Sequence, residues 1–267
     1  THKSRKALMR VLMIGDVVGK GGRRAVSSLL TDLKSEFSVD FVTLQGENLA
    51  AGIGLTVGTV VEMIEAGANI ITTGNHVWDK REFIEHLDDP YLPVLRPLNY
   101  PANTPGRGAA DDTGPVAVIN LIGRVWVGEF DSPFAIVDDL LAGGFGQGKP
   151  IVVDFHAEAT SEKAALAWHL DGRVAAVVGT HTHVPTSDCK ILPEGTGFVS
   201  DLGMVGAVDS ILGVNVEGSL ARFLTGYRQR MEPVRSGTMN FNSVLIDVDT
   251  STGLANSIER VDRQIEI

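Results

Sequence analysis

Short apolar runs that alternate with helix-like segments are the feature that most restricts the fold of this chain. Each run is bounded by a polar or glycine-rich loop, which is typical of a strand that enters a sheet core. Repeated strand–helix order favours an α/β architecture with parallel neighbouring strands. The sequence predicts strands over 10–15, 40–44, 68–72, 150–155 and 174–179, and helices over 22–37, 56–66, 80–87 and 161–169.

The second half of the chain adds closely spaced strand candidates without a helix between them. Residues 116–122 and 125–128 resemble a hairpin, and further strands are predicted over 197–200, 243–248 and 257–261. Hairpins add antiparallel pairs to parallel ones. We therefore expect mixed sheets, packed sheet against sheet with helices outside.

Length and composition fit one soluble globular domain. A chain of 267 residues with 43% hydrophobic and 21% charged residues can bury a large core. We assign residues 9–267 to a single domain and residues 1–8 to a disordered N-terminal extension. The one cysteine, Cys189, excludes an intramolecular disulfide and a zinc site built on thiolates.

Charge and hydropathy limit the partners. The apolar stretch 11–14 is too short for a signal peptide, and no run of about 18 apolar residues exists that would span a membrane. We expect a cytoplasmic protein with no membrane partner. The net charge of −10 opposes stable binding of long nucleic acids. A small anion held by metal remains compatible with it.

Side chains that bind metals follow five of the predicted strands. They are Asp16, Glu47 with Asn48, Asn75 with His76, His156, and His181 with His183. A lone residue of this kind is usually a turn or helix cap, and two nearby histidines can be accidental. Because carboxyl ends of neighbouring strands meet at one sheet edge, five such ends predict a shared metal site. On an extended chain His181 and His183 would face the same side, towards one cation or a close pair.

Other motifs fail. Residues 15–21 have neither the spacing and final hydroxyl of a Walker loop nor the G-x-G-x-x-G pattern. No G-x-S-x-G is present, and Cys189 has no evident base beside it. Amidohydrolase barrels also use H-x-H, but usually on the first strand, whereas here the pair lies two-thirds along the chain.

The ordered series of motifs resembles the calcineurin-like metallophosphoesterase superfamily, and more closely the bacterial YmdB-like family. The resemblance runs from residue 11 to about residue 213 and so covers most of the chain. It is carried by "VLMIGDVVGK", "LQGENLAAGIGL", "ITTGNHVWDKREF", "VDFHAEATSEK", "VVGTHTHVPTSD" and "VSDLGMVGAVDSILG".

This resemblance implies a four-layer α/β/β/α sandwich of two mixed β-sheets flanked by helices, with two metals about 3.5 Å apart. In the ligand set that it implies, Asp16 and His183 bind the first metal, Asn75, His156 and His181 bind the second, and Glu47 bridges both. We expect transition-metal ions, with iron preferred and manganese or zinc as alternatives, because carboxylate, amide and imidazole suit all three.

The sequence departs from the superfamily pattern at the first two motifs. Val18 stands where the first motif normally has histidine, and the second motif is Glu47-Asn48 after glycine instead of Gly-Asp. Val18 cannot bind a metal, and Asn48 is our candidate for the ligand that replaces the missing histidine. A neutral amide in place of a neutral imidazole leaves the charge of the site unchanged but leaves metal identity open.

The resemblance makes His76 the general acid near the leaving oxygen. The acidic residue that usually follows Gly-Asn-His directly is absent here. Asp79 is our candidate to orient the His76 imidazole, and the alternative is that it caps the helix predicted over 80–87.

Several other polar or aromatic residues are assigned structural roles. We expect His86 and His169 to be surface or packing residues on helices. Trp78 is either a wall of the core or a surface for stacking a base. Glu158 and Glu162 are assigned as acids at a helix start, with support of His156 as the alternative.

The function implied by the resemblance is hydrolysis of small phosphodiesters, with 2′,3′-cyclic nucleotides as the expected substrates. A hydroxide shared by two metals would attack phosphorus in line, and His76 would protonate the departing oxygen. The alternatives are a phosphomonoesterase or nucleotidase, and a regulatory nucleotide sensor with slow turnover. The resemblance also suggests a homo-oligomer.

The substrate pocket is expected to have few cations. Lys20, Arg23 and Lys80 are the nearest candidates in the motif loops. A cyclic diester carries one negative charge, so two metals can neutralise it without an arginine clamp. We expect Trp78 or the proline-rich loop 90–105 to wall the pocket.

Overall fold

A computed structural model describes residues 8–227 and 229–267. The first seven residues of the predicted extension lie outside the described residues, and Leu8 is the first residue of a strand. The strands are β1 (Leu8–Val17), β2 (Phe41–Gln45), β3 (Ile70–Thr72), β4 (Val94–Leu95), β5 (Ala109–Ala110), β6 (Ala117–Ile122), β7 (Ile151–His156), β8 (Ala176–Thr180), β9 (Lys190–Ile191), β10 (Gly197–Val199), β11 (Met204–Ala207), β12 (Thr238–Phe241), β13 (Ser243–Asp249), β14 (Leu254–Arg260) and β15 (Arg263–Glu266). The helices are α1 (Gly19–Glu36), α2 (Val57–Ala66), α3 (Arg81–Ile84), α4 (Pro133–Ala142), α5 (Thr160–His169) and α6 (Val216–Thr225), with a 3₁₀ helix over Asn75–Trp78.

The strands form two mixed sheets. The first sheet has the order β15-β12-β11-β1-β2-β3-β4, and β13 joins it beside β1 with β14 at its outer side. The β1–β2–β3–β4 pairs and the β1–β11 pair are parallel, whereas β13, β12 and β15 pair antiparallel. The second sheet has the order β5-β6-β7-β8-β10-β9, with a parallel centre and antiparallel edges.

Three buried apolar clusters separate four layers. Alternation along β1 shows why: Leu12 and Ile14 pack outward with α1 and α2, whereas Val11 and Met13 pack inward between the two sheets. The third cluster lies between the second sheet and the helices α4 and α5. It contains Val153 of β7 and Leu166 of α5. The α/β/β/α sandwich predicted from the resemblance is confirmed.

Local signals explain where the helices begin. Thr56 caps α2 by accepting from Thr59 N, and the Thr59 hydroxyl accepts from Thr56 N, which forms a capping box. Gly67 ends α2 with φ of 117°. At α4, Ser132 is the cap and Pro133 is the first helical residue.

Some sequence predictions were wrong. Residues 125–128 form turns instead of a hairpin strand, and β6 pairs with β5 and β7. Two backbone amides, of Arg124 and Val125, donate to the Glu162 carboxylate, so this segment is tied to α5. The predicted helix over 80–87 is helical only over α3. Two helices, α4 and α6, were not predicted from the sequence, and neither were the strands β4, β5, β9, β11, β12 and β15.

The described residues contain no helix with the length and apolar character needed to cross a membrane.

Gly179 brings β8 and β10 together. A methyl group at this position would overlap the Ser200 carbonyl oxygen, which belongs to rigid backbone. We expect Gly179→Ala to lower the free energy of unfolding by about 3 kcal/mol or more, the upper part of the range for overpacking. Chemical denaturation measures the change.

Gly58 in α2 provides the control. A methyl group there meets nothing within 4 Å, so Gly58→Ala should stabilise by about 0.5 kcal/mol through helix propensity. Equal stability of the two variants would contradict the proposed close approach.

Candidate metal centre

The candidate metal ligands lie where the two sheets meet. The end of β1 and the loops after β2 and β3 of the first sheet face the ends of β7 and β8 of the second sheet. Two contacts join the sheets: His156 Nε2 lies 3.1 Å from Glu47 Oε1, and His181 N donates to Asp16 Oδ2 at 3.2 Å. The five strand ends were predicted to meet at one edge of one sheet. In the structure they come from two sheets, whose edges meet at this place.

Glu47, His156 and His181 form a cluster with metal-ligand chemistry. Each offers one ligand atom, and these atoms lie within 4.8 Å of one another. His181 Nδ1 is 3.1 Å from His156 Nε2. Glu47 and His156 are fully or almost fully buried, and burial of this donor set favours binding of a cation over solvation by water.

Asp16 and His183 form the adjoining pair. His183 Nε2 lies 3.7 Å from Asp16 Oδ1, and Asp16 is completely buried. His183 Nδ1 donates to the carbonyl oxygen of Leu212 at 3.1 Å, which turns Nε2 towards the carboxylate.

Unpaired buried oxygens support a cation at this place. Among the described residues, Asp16 Oδ1, Asn48 Oδ1 and Asn75 Oδ1 are buried without a hydrogen-bond partner. Asn48 Nδ2 donates to Gly52 O at 3.0 Å, so its donor group is already engaged and its oxygen is left over. A buried acceptor without a partner is costly, and metal ligation would satisfy it. The residues present therefore fit a metal.

Gly74 allows the ligands to approach. A methyl group at this position would overlap the His156 ring, with the Glu47 carboxylate directly beside it. The glycine before Asn75 is thus required by the space that the imidazole occupies.

Hydrogen bonds behind His156 fix its ring. Its Nδ1 lies 2.9 Å from Gln45 Nε2 and 3.0 Å from Thr180 Oγ1. Thr180 Oγ1 in turn donates to Asp154 Oδ1 at 2.7 Å, and Thr72 donates to the other oxygen of that carboxylate. These contacts direct Nε2 towards Glu47 and His181.

The charges of the cluster are strongly coupled. Burial opposes both charged forms, but mutual attraction dominates: the pKa of Glu47 is lowered to about 2 by His156, and the pKa of His156 is raised to about 9 by Glu47. Burial and the neighbouring His156 lower the pKa of His181 to about 3. Burial raises the pKa of Asp16 to about 6, although His183 opposes the shift. Without metal, a proton on His156 thus supplies the positive charge, and a cation can replace it.

The loop that carries His181 and His183 is not extended. Both residues have positive φ, 99° and 63° respectively, a conformation that costs about 1–3 kcal/mol per non-glycine residue. The expectation that two neighbouring positions on an extended chain bring the imidazoles together was therefore wrong. They converge because the chain turns directly after β8.

A buried ion pair holds this turn. Lys163 Nζ and Asp201 Oδ2 lie 2.7 Å apart, and both side chains are 1% exposed. The same carboxylate accepts from Thr182 N at 3.1 Å and from Gly203 N at 2.8 Å. Sequence reasoning missed both charged residues, because a lysine in an otherwise ordinary helix start predicts exposure.

His76 lies at the edge of the centre with Asp79 beside it. His76 Nδ1 is 2.5 Å from Asp79 Oδ2, and His76 N donates to Glu47 Oε2 at 3.0 Å. Asp79 is not the cap of α3, whose N-cap is Lys80. The structure therefore favours Asp79 as the residue that orients His76.

The remaining candidates have mostly structural positions. His169 contacts Asp138, and His86 lies near Glu85 at the surface. Trp78 packs on the outer core cluster. Glu158 was expected to be an acid at a helix start or to support His156. Its Oε2 instead lies 3.1 Å from His181 Nε2, so this carboxylate helps to position the His181 imidazole.

A cavity of about 350 Å³ opens onto the centre. One side consists of Glu47, Asn48, His76, His181 and His183. The other side comes from the segment between β11 and β12, and neither Trp78 nor loop 90–105 lines it. We call this segment, residues 208–227 and 229–237, the lobe. Its contribution was missed, because the sequence analysis found no metal-binding or catalytic motif in it.

The fold and the donor set define a protein of the metallophosphoesterase type. Two solved structures share the fold over nearly the whole chain. A hypothetical protein from Thermus thermophilus has a TM-score of 0.88 and 41% identity, and covers 97% of this chain and 100% of its own. A phosphatase from Mycoplasma pneumoniae has a TM-score of 0.89 and 31% identity, with coverages of 97% and 94%.

The chain belongs to the YmdB-like protein family, whose model matches residues 12–261. A 2′,3′-cyclic-nucleotide 2′-phosphodiesterase from Bacillus subtilis strain 168 is 46% identical over 257 residues, which are 95% of this chain and 96% of the relative. The family prediction made from the motifs is confirmed.

The Lys163–Asp201 pair generates a stability prediction. Lys163→Met leaves a buried carboxylate without its counter-charge, so we expect a loss of about 3–5 kcal/mol in the free energy of unfolding. The double variant, which adds Asp201→Asn, should recover most of that loss, since neither position of the pair then carries a charge. Urea unfolding of the single and double variants measures both changes.

The exposed pair Arg107–Asp112, 2.7 Å apart, serves as control. Arg107→Ala should cost less than about 1 kcal/mol. A similar small loss for Lys163→Met would show that the buried pair does not hold the turn.

Proposed function

We propose that this protein is a metal-dependent phosphodiesterase that hydrolyses small phosphodiesters, with 2′,3′-cyclic nucleotides as the favoured class. One observation carries the proposal: a carboxylate–imidazole cluster lies beside buried oxygens without partners, and Glu47, Asn48 and His181 of this group line one cavity together with the oriented His76. The name of the Bacillus subtilis relative supports the substrate class.

Two transition-metal ions would be held by the seven predicted ligands. Asp16, Asn48 and His183 would hold one, and Asn75, His156 and His181 the other, with Glu47 shared. Iron is our first choice, with manganese or zinc as alternatives. When bound, the metals would supply positive charge to the phosphate and make a water acidic enough for attack on phosphorus.

His76 would donate a proton to the departing ribose oxygen. Asp79 engages Nδ1, so Nε2 remains to serve the cavity. The contact with Asp79 fixes the orientation of the imidazole, so that the Nε2 proton would pass to the departing oxygen as its bond to phosphorus breaks.

A substrate with a single negative charge suits the cations of the cavity. Arg23, one of the predicted nearest cations, pairs with Glu62 at 2.6 Å and donates to Leu49 O. It is thereby engaged elsewhere. Among the described residues that line the cavity, Arg222 is the one arginine or lysine. A monoester with two negative charges would need more side-chain cations than this, whereas a diester with one negative charge would not.

A cytoplasmic location, a homo-oligomeric state and the absence of stable binding to long nucleic acids remain predictions for this chain.

Metal dependence and substrate class are tested together. We expect chelated protein to be inactive, and activity to return with iron, manganese or zinc. Reconstituted protein should hydrolyse 2′,3′-cyclic nucleotides with a higher kcat/KM than nucleoside monophosphates or intact RNA, and with little base preference. Metal content by elemental analysis and kcat/KM for the three substrates are the measurements.

Two results would contradict the proposal. A tenfold preference for a monophosphate, about 1.4 kcal/mol of transition-state stabilisation, would favour the phosphomonoesterase alternative. No turnover with any of the three metals would favour the nucleotide sensor.

His76 generates a leaving-group prediction. His76→Ala should slow cyclic nucleotides by about 10²–10⁴-fold, because an alkoxide leaves poorly without a proton. A nitrophenyl phosphodiester should lose much less, since nitrophenolate needs no proton. Steady-state kcat on both substrates checks this, with His86→Ala as a surface-histidine control. Equal losses on both substrates would assign His76 to substrate positioning.

A further inference from the structure

The lobe reaches the metal centre through a fixed backbone. It leaves the first sheet after β11 and returns at β12, and its two arms are joined where Val234 N donates to Gly213 O at 3.0 Å and Asn215 N to Glu232 O at 2.9 Å. Leu212 O accepts from His183 Nδ1. The position of the lobe is thus tied to a candidate metal ligand.

The lobe gives the cavity an apolar wall opposite the polar one. Its apolar members are Ile211, Leu212, Val214, Phe223 and Met231. A phosphate alone needs no such wall. Ligand sites that combine a polar end with an apolar wall bind molecules with both characters, which describes a nucleotide.

One face of α6 looks into the cavity. Ser219, Arg222 and Phe223 are three and four positions apart, so they lie on the same face of the helix, and all three line the cavity. Ser219 is 2% exposed, and its hydroxyl oxygen has no partner among the described residues. A buried hydroxyl without a partner beside a cavity indicates a ligand that supplies one.

Phe223 is an aromatic ring left in solvent next to the centre. It is 80% exposed, although burial of such a ring is strongly favourable. A nucleobase stacked on the ring would cover it, and stacking tolerates every base because each has a π-face.

We propose that this face of α6 is the nucleobase subsite: Phe223 stacks on the base and Ser219 hydrogen-bonds to it while the phosphate lies at the metal-binding side chains. The inference rests on the proposed function and adds the residues that recognise the nucleoside. The cavity of about 350 Å³ falls within the usual range for sites that bind small molecules.

The kinetic test compares a substrate with and without a base. For the metal-reconstituted protein, kcat/KM is measured on 2′,3′-cyclic AMP and on methyl riboside 2′,3′-cyclic phosphate. We expect Phe223→Ala to lower the ratio of the two values about 10-fold, mainly through KM for the nucleotide. Phe223→Tyr should retain the ratio, because the ring remains. Tyr91→Ala, at a ring 87% exposed and outside this cavity, should leave it unchanged.

Ser219→Ala tests the polar contact separately. No protein partner is lost, so stability should not fall, whereas the same ratio should fall about 3-fold. A ratio unaltered in both Phe223→Ala and Ser219→Ala would overturn the subsite. So would equal losses on both substrates in Phe223→Ala, which would show that the residue only supports the lobe.

Calorimetry separates failure of the subsite from failure of the proposed function. Binding of adenosine 3′-monophosphate and of methyl riboside 3-phosphate to the metal-loaded protein is compared. Phe223→Ala should weaken the first about 10-fold and not the second. If no phosphodiester is hydrolysed, the proposed function fails, and this binding difference still supports the subsite. Equal affinity of Phe223→Ala and wild type for the nucleotide overturns it.

Discussion

The contact between the Glu47 carboxylate and the His156 imidazole is the interaction on which the centre depends. It joins the loop after β2 of one sheet to the end of β7 of the other, at a buried position where neither charge is hydrated. Each group holds the other in its charged form, which the opposed shifts of their pKa values show. Two buried charges are tolerated only when each is paired. A cation at this position would satisfy the carboxylate and release the proton from the imidazole.

Strain and its compensation occur side by side at the neighbouring turn. His181 and His183 have left-handed backbone conformations, and these persist only where the surroundings fix them. The surroundings here are the Lys163–Asp201 pair below the turn and the Leu212 carbonyl at its side. Both imidazoles are therefore held in place by contacts within the chain. Such preorganisation lowers the cost of ligand binding.

The lobe gives the candidate metal centre a cavity of defined shape. The core sandwich provides the candidate metal donors and the oriented imidazole of His76. The lobe provides the apolar wall. On the two proposals above, phosphate chemistry would come from the sandwich and nucleoside recognition from the lobe, so substitutions in the lobe would alter substrate preference without changing the candidate ligands.

The sequence by itself determined the order of most strands and helices, the α/β class and the strand ends that carry metal-binding side chains. These depend on periodicity and on turn residues close together along the chain. The predicted ligand roles remain proposals that the geometry supports. Only the tertiary structure decided which strands enter which sheet, that Lys163 and Asp201 are buried together, and that α6 faces the centre. Such contacts join distant positions, as Gln45 and His156 show across 111 residues. Periodicity can mark the apolar face of a helix such as α6, but what lies opposite that face depends on how distant segments pack.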